Sequence, residues 1–262
     1  MSFIARSRER MTQAPAGYTR FVLRGADVVA LGACADAVRR AVGARSLYDY
    51  AATHPGRREL RGRGIAYAVP LPDGETRVVI RHSRHGGLLA PVTGDRFLTP
   101  TRAPHELRTA LRLAEAGVPT PEVVAYATYP AGVVFRRSDV ATREVAGGRD
   151  LADVLARADA LEARSAALAA TAELLRALER AGARHPDLNV TNVLIVHADG
   201  EPARAFVLDV DRVAFGRRGD ARTGAANVRR LVRSARKLRS NGRITVSEAE
   251  LMHLAAAAGH DT

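Results

Sequence analysis

The apolar and polar positions divide the chain into a strand-rich front and a helical back. Tyr18 to Leu31 alternates as a strand or bent hairpin does, and Ala35 to Tyr50 has the spacing of one amphipathic helix, with Val42, Leu47 and Tyr50 among its apolar positions. Glu59 to Leu71 and Thr76 to Arg81 read as strands joined by the Asp73-Gly74 turn. Gly86 to Pro104 is loop-like. Pro104 leads into a helix, HELRTALRLAEAG, with Leu107, Leu111 and Ala114 on one face and Gly117 as its stop. VPTPEVVAYATY and AGVVFRRSDVATREVAGG supply two or three further strands. Asp150 then caps LADVLARA, and Ala160 to Ala181 forms a long helix with Leu168, Ala172, Leu175 and Leu178 as its core stripe, ended by Gly182. Asn227 to Ser240 is a basic helix whose apolar side carries Val228, Leu231, Val232, Ala235 and Leu238. Ser247 caps a last helix, EAELMHLAAAAG, and residues 1–17 are a polar lead-in. The expected class is α+β, with residues 1–145 as one part and 146–262 as the other.

Charge adds a constraint. There are 40 Lys+Arg against 28 Asp+Glu, a net +12, and Lys237 is the single lysine, so 39 of the cations are arginine. Such a chain favours anionic partners: nucleic acid, phosphate-bearing substrates or an acidic membrane face. With 5% aromatic residues and no recognition motif, nucleic acid is not expected. The lone Cys34 excludes an internal disulfide and a multi-cysteine zinc site. No 18-residue apolar run predicts a spanning helix, and the first residues lack the apolar core of a secretory signal, so a reducing cytoplasm is expected.

The chemistry concentrates between His185 and Asp211. HPDLNVTN is followed by the apolar run Val193 to Val196, the turn Asp199-Gly200, and a second run, Phe206 to Leu208, ending on Asp209. Two short strands joined by a turn bring Asp187, Asn192 and Asp209 to one edge of a small ribbon. An acid, an amide and a second acid there suit magnesium-dependent phosphoryl transfer, because Mg²⁺ takes hard oxygen ligands and a further carboxylate can accept the acceptor's proton. A capped strand pair with no chemistry is the structural alternative.

This pattern resembles the catalytic and metal-binding loops of protein-kinase-like enzymes, H-x-D-x-x-x-x-N followed by D-F-G, with Asp209-Val210-Asp211 in the latter place. The resemblance implies a bilobal fold, a small antiparallel sheet followed by a mainly helical lobe. Asp187 is then the catalytic base, with Asn189 beside it where protein kinases carry lysine. Asn192 and Asp209 are the metal ligands. Gly62 and Gly64 cover the triphosphate of ATP, although Tyr67 stands where a third glycine is usual. Arg81 takes the place of the strand lysine and pairs with Glu106. Thr142 to Gly148 is the hinge, with Glu144 and Val145 at the adenine. The neighbouring His82 and His85 read as a solvated basic strand end.

More narrowly, GRGIAYAVPLPDGETRVVIRHSRHGGLLAP, HELRTALRLAEAGVPTP, HPDLNVTNVLI, DVDR and NVRRLVRSARKLR are similar to the lipopolysaccharide core kinase family that includes the 3-deoxy-D-manno-octulosonic acid (Kdo) kinases. That resemblance implies ATP as co-substrate, Mg²⁺ as cofactor, an anionic Kdo-lipid A-type glycolipid as acceptor, and peripheral contact with the cytoplasmic face of the inner membrane. A kinase for a heptose, an aminoglycoside or another glycan, or a nucleotide-binding pseudokinase, would carry the same loops.

Overall fold

The structure is a computed structural model that describes residues 14–61, 64–83, 97–98, 101–132, 135–157, 161–197 and 201–260. The chain divides into two compact units. One comprises residues 1–108 and 122–144, the other residues 109–121 and 145–262.

The first unit is built on an antiparallel sheet. Its strands are β1 (Tyr18–Leu23), β2 (Ala26–Leu31), β3 (Arg58–Arg61), β4 (Ile65–Pro70), β5 (Arg77–His82), β6 (Phe97–Leu98), β7 (Val123–Pro130) and β8 (Phe135–Arg143). They run in the order β1-β2-β7-β8-β5-β4-β3, with β6 on one end of β8. β1 and β2 pair from Tyr18↔Leu31 to Leu23↔Ala26 around Arg24-Gly25, both at positive φ (50° and 81°). Such a two-residue turn matches the twist of the strands it joins, so the first apolar stretch is a hairpin.

Helices α1 (Ala35–Ala44) and α2 (Leu47–Thr53) cover this sheet, and Val38, Ala41, Leu47, Val78, Ile80 and Val124 are buried together in its core. The expected single helix over Ala35 to Tyr50 is therefore two. The chain breaks at Arg45 (φ −154°, ψ −82°), and Ser46 caps α2 by accepting a hydrogen bond from Asp49 N at 3.0 Å. The apolar spacing runs on across the break, but the serine cap and sheet side chains satisfy the N–H groups of a new helix start. Leu47 N donates to Tyr129 Oη at 2.8 Å, and Tyr48 N to the Asp139 carboxylate at 3.0 Å.

Helix α3 (Ala103–Glu115) begins in the first unit and ends in the second. The second unit holds β9 (Arg149–Asp150), α4 (Leu151–Leu155), α5 (Leu161–Arg180), β10 (Ala183–Arg184), β11 (Val193–Val196), β12 (Arg204–Val207), β13 (Ala214–Phe215), α6 (Ala221–Ser240) and α7 (Glu248–Ala257). Asp150 and Ser247 cap α4 and α7 as expected, the latter in a full capping box with Glu250. Leu168, Ala172, Leu175 and Leu178 are all buried along α5. Gly182 follows at φ +65°, where an added Cβ would lie 2.5 Å from Arg217 O, so only glycine fits this turn into the next strand.

α6 starts six residues before the expected Asn227. Asp220 caps it by accepting from Thr223 N, and Gly224 packs against the Glu179 carboxylate and His260. Thr223 and Gly224 are poor helix formers, which hides this first turn from a periodicity argument.

Candidate active site

In the second unit, two loops are held between two antiparallel ladders. Residues 185–192 run from β10 to β11, and residues 208–213 run from β12 to β13. At one end Arg184 pairs with Ala214. At the other Val193 pairs with Val207, and Leu208 N donates to Asn192 O at 2.9 Å. The loops cannot slide past one another without breaking both ladders. The expected convergence of Asp187, Asn192 and Asp209 thus follows from strand register.

His185 bridges the loops from within. It is fully buried; its Nε2 donates to Leu208 O at 3.0 Å, and its Nδ1 accepts from Asp187 N at 3.2 Å. One nitrogen donating and the other accepting is the pattern of neutral imidazole. Burial, the largest influence, holds the imidazole below its ordinary range, against the upward pull of the Leu208 carbonyl. The unfolded chain therefore binds this proton more readily than the folded one. Stability from neutral His185 is complete above the unfolded pKa of about 6.5 and is lost as pH falls below it. Thermal denaturation should show a steeper loss of melting temperature below that pH in wild type than in His185→Gln.

Asn227, from α6, anchors the start of the loop. It is fully buried, its Oδ1 accepts from His185 N at 3.0 Å, and its Nδ2 donates to Ala183 O at 2.9 Å. Sequence reasoning missed this residue. The available signal was an asparagine one turn before Leu231 on the buried face of a helix.

Asp187 is half-exposed. Asn189 donates from Nδ2 to Asp187 O at 2.9 Å and accepts on Oδ1 from Thr191 N at 2.9 Å. Its amide shapes the loop as a cap. Asn192 also donates from Nδ2 to Asp187 O, at 3.1 Å, which turns its amide oxygen away from that bond. Asp209 is exposed and sits at φ 53°, ψ 49°, one of two non-glycine residues with positive φ among the described residues. Holding a non-glycine residue there costs on the order of 1 kcal/mol, and such strain concentrates at functional positions. Val210 and Val213 are buried on either side of Asp211 and Arg212 and fix the rest of this loop. Among the described residues no cluster of three or more His, Cys, Asp or Glu could hold a metal alone. One amide oxygen and one carboxylate on adjoining paired positions fit Mg²⁺ instead, since that ion keeps several waters and shares its shell with phosphate oxygens.

Sequence reasoning also missed Arg212, whose Nη1 lies 2.5 Å from Asp187 Oδ2. The DVDR tetrapeptide drew attention to its aspartates, and the ion pair spans 25 residues.

In the first unit, Arg81 Nη2 lies 2.6 Å from Glu106 Oε1, with the glutamate side chain only 5% exposed. The strand arginine and the helix glutamate therefore do pair. Gly64 stands just ahead of β4; Gly62, Arg84 and His85 lie outside the described residues. His82 departs from the solvated strand end expected of it. Its Nδ1 is 2.5 Å from the buried Asp139 carboxylate, and its ring stacks on Tyr48 with centroids 3.8 Å apart. Glu144 is an ion-pair hub, 2.6 Å from both Arg58 and Arg77. Burial pushes its carboxyl up, but the two guanidinium groups outweigh this and hold it below the usual range. Val145 begins the second unit and accepts from Gly148 N at 3.1 Å.

A model of the lipopolysaccharide kinase (Kdo/WaaP) family matches residues 52–257. The 3-deoxy-D-manno-octulosonic acid kinase of Xanthomonas oryzae pv. oryzae (strain PXO99A) is 35% identical over 184 residues, 69% of this chain and 69% of its own. The enzyme of that name from Vibrio parahaemolyticus serotype O3:K6 is 28% identical over 180 residues, 67% of this chain and 71% of its own. A solved structure titled WaaP in complex with acyl carrier protein superposes with a TM-score of 0.53 at 19% identity, over 84% of this chain and 85% of that one. The fold they share is α+β and protein-kinase-like.

Proposed function

This chain belongs to the lipopolysaccharide kinase (Kdo/WaaP) family, and we propose that it transfers the γ-phosphate of ATP to a hydroxyl of Kdo on a lipid A precursor. A phosphotransferase acting on a sugar hydroxyl in lipopolysaccharide core biosynthesis follows from the family; the particular acceptor and the residue roles are our reading. The observation that supports them best is the pair of loops fixed between β10–β13 and β11–β12, which gather Asp187, Asn192 and Asp209.

In this account the hydroxyl oxygen forms a bond to the γ-phosphorus as the bridging P–O bond to ADP breaks, and the hydroxyl proton passes to Asp187. Asn192 and Asp209 hold Mg²⁺, which when bound neutralises charge on the phosphates. Asn189 and His185 set where the Asp187 backbone lies. Arg81, steadied by Glu106, contacts phosphate through a planar fork where a lysine would offer a point charge. Gly62 and Gly64 cover the triphosphate, and Glu144 and Val145 mark the hinge at the adenine. Glu144 acts there through backbone position, because both its carboxylate oxygens are taken by arginines.

A glycolipid acceptor has to be reached at a membrane. Among the described residues no helix is long and apolar enough to cross one. α6 buries Val228, Leu231, Val232 and Ala235 and exposes Arg222, Arg229, Arg233 and Lys237, none of them paired with a carboxylate among the described residues; Arg236 and Arg239 are held by Glu248. At seven- and four-residue intervals these four cations form one stripe, and we place the contact with anionic lipid at the cytoplasmic face there. Each cation contributes about 1 kcal/mol near an acidic surface. Arg229→Glu with Arg233→Glu should therefore weaken sedimentation with anionic vesicles by about 30-fold or more, and added salt should weaken wild type in the same way. The acceptor itself is tested by measuring phosphate transfer to Kdo-bearing lipid A precursor beside heptose and aminoglycoside acceptors.

A further inference from the structure

We infer that Arg212 is an acceptor-recognition residue: its guanidinium pairs with Asp187 Oδ2 at rest and moves to the carboxylate of the incoming sugar acid, so that an anionic acceptor frees that oxygen of the catalytic base. The inference rests on the Kdo reading above and deepens it.

Three observations carry it. The Arg212–Asp187 pair is close, 2.5 Å, yet open to solvent, with the two side chains 52% and 34% exposed. A pair of that exposure contributes little net stability and exchanges readily for another anion. The backbone beneath Arg212 is fixed, because Val210 and Val213 are buried on either side and Val213 N donates to Val210 O at 3.1 Å. A long side chain on a rigid base can swing its head without moving the loop. Finally, one oxygen of the base is engaged in the resting arrangement. Asp187 Oδ2 accepts from the guanidinium, and a hydroxyl that is to be deprotonated needs a carboxylate oxygen to accept its proton.

A planar guanidinium can take a carboxylate through two parallel N–H···O bonds, which matches a sugar-acid acceptor. A neutral sugar offers nothing to draw Arg212 away. The pair would then act as a filter that favours anionic acceptors and leaves Asp187 Oδ2 engaged when the acceptor is neutral.

The test compares kcat/KM for Kdo-bearing lipid A precursor with that for the same acceptor carrying a carboxamide in place of the Kdo carboxylate. It uses wild type, Arg212→Ala and Arg212→Lys, with KM for ATP recorded alongside. Wild type should prefer the carboxylate by about 10- to 100-fold, the range of a charge-assisted pair. Arg212→Ala should bring the ratio close to one, Arg212→Lys should restore part of it, and KM for ATP should hold in all three. The wild-type ratio persisting in Arg212→Ala overturns the inference while leaving the Kdo reading in place. An equal fall for both acceptors in Arg212→Ala and Arg212→Lys also overturns it, showing a structural role. Wild type transferring to neither acceptor overturns the Kdo reading and this inference together.

Discussion

Asp187→Ala should transfer phosphate about 10²–10⁴ times more slowly than wild type, the usual cost of losing a positioned general base. The loss should fall on kcat, with KM for ATP little changed. The substitution removes a half-exposed carboxylate and leaves the backbone that Asn189, Asn192 and His185 hold through Asp187 O and N. Folding should survive, so steady-state kinetics beside a melting curve separates chemistry from stability. Near-normal turnover in a folded Asp187→Ala protein would mean that the proton leaves by another route.

The largest stability effect is expected from Asn227→Leu. The substitution keeps much of the volume but removes the amide that serves both Ala183 O and His185 N in a site with no solvent access. Each buried backbone group left unpaired costs about 1–3 kcal/mol, so the sum is roughly 2–6 kcal/mol. For a chain of this size that lowers the melting temperature by something like 5–20 °C. Turnover should fall as well, because the strand end that carries His185 and Asp187 loses its tether to α6. A melting temperature within about 2 °C of wild type would show that water or local rearrangement satisfies both groups.

What the sequence made legible was local or periodic. The β11–β12 ribbon followed from two apolar runs around a turn, and its register put Asn192 beside Leu208 and hence close to Asp209. The caps at Asp150 and Ser247 needed only their immediate neighbours. The Arg81–Glu106 pair was found by motif order, although 25 residues separate the two. The helix break at Ser46 was hidden because Val42, Leu47 and Tyr50 keep an apolar spacing that one helix would also give. The sheet side chains that stabilise the new start, Tyr129 and Asp139, lie more than 80 residues further on.

Polar contacts across long separations were the least visible. His82 looked like part of a basic strand end until Asp139, 57 residues away, proved to be its partner. Asn227 and His185 meet across 42 residues, and Arg212 and Asp187 across 25. No periodicity encodes such pairs. Apolar burial needs only a face, whereas a buried hydrogen bond needs a particular partner in a particular direction. The residues that support these loops were therefore harder to foresee than the ones proposed to react.

The most direct test of the central claim is transfer of labelled γ-phosphate from ATP to Kdo-bearing lipid A precursor, with the product's phosphorylated sugar identified by mass spectrometry. The account predicts label on the Kdo residue, formed by wild type and nearly absent with Asp187→Ala. Label appearing on heptose or another glycan while the Kdo acceptor stays unmodified would contradict it.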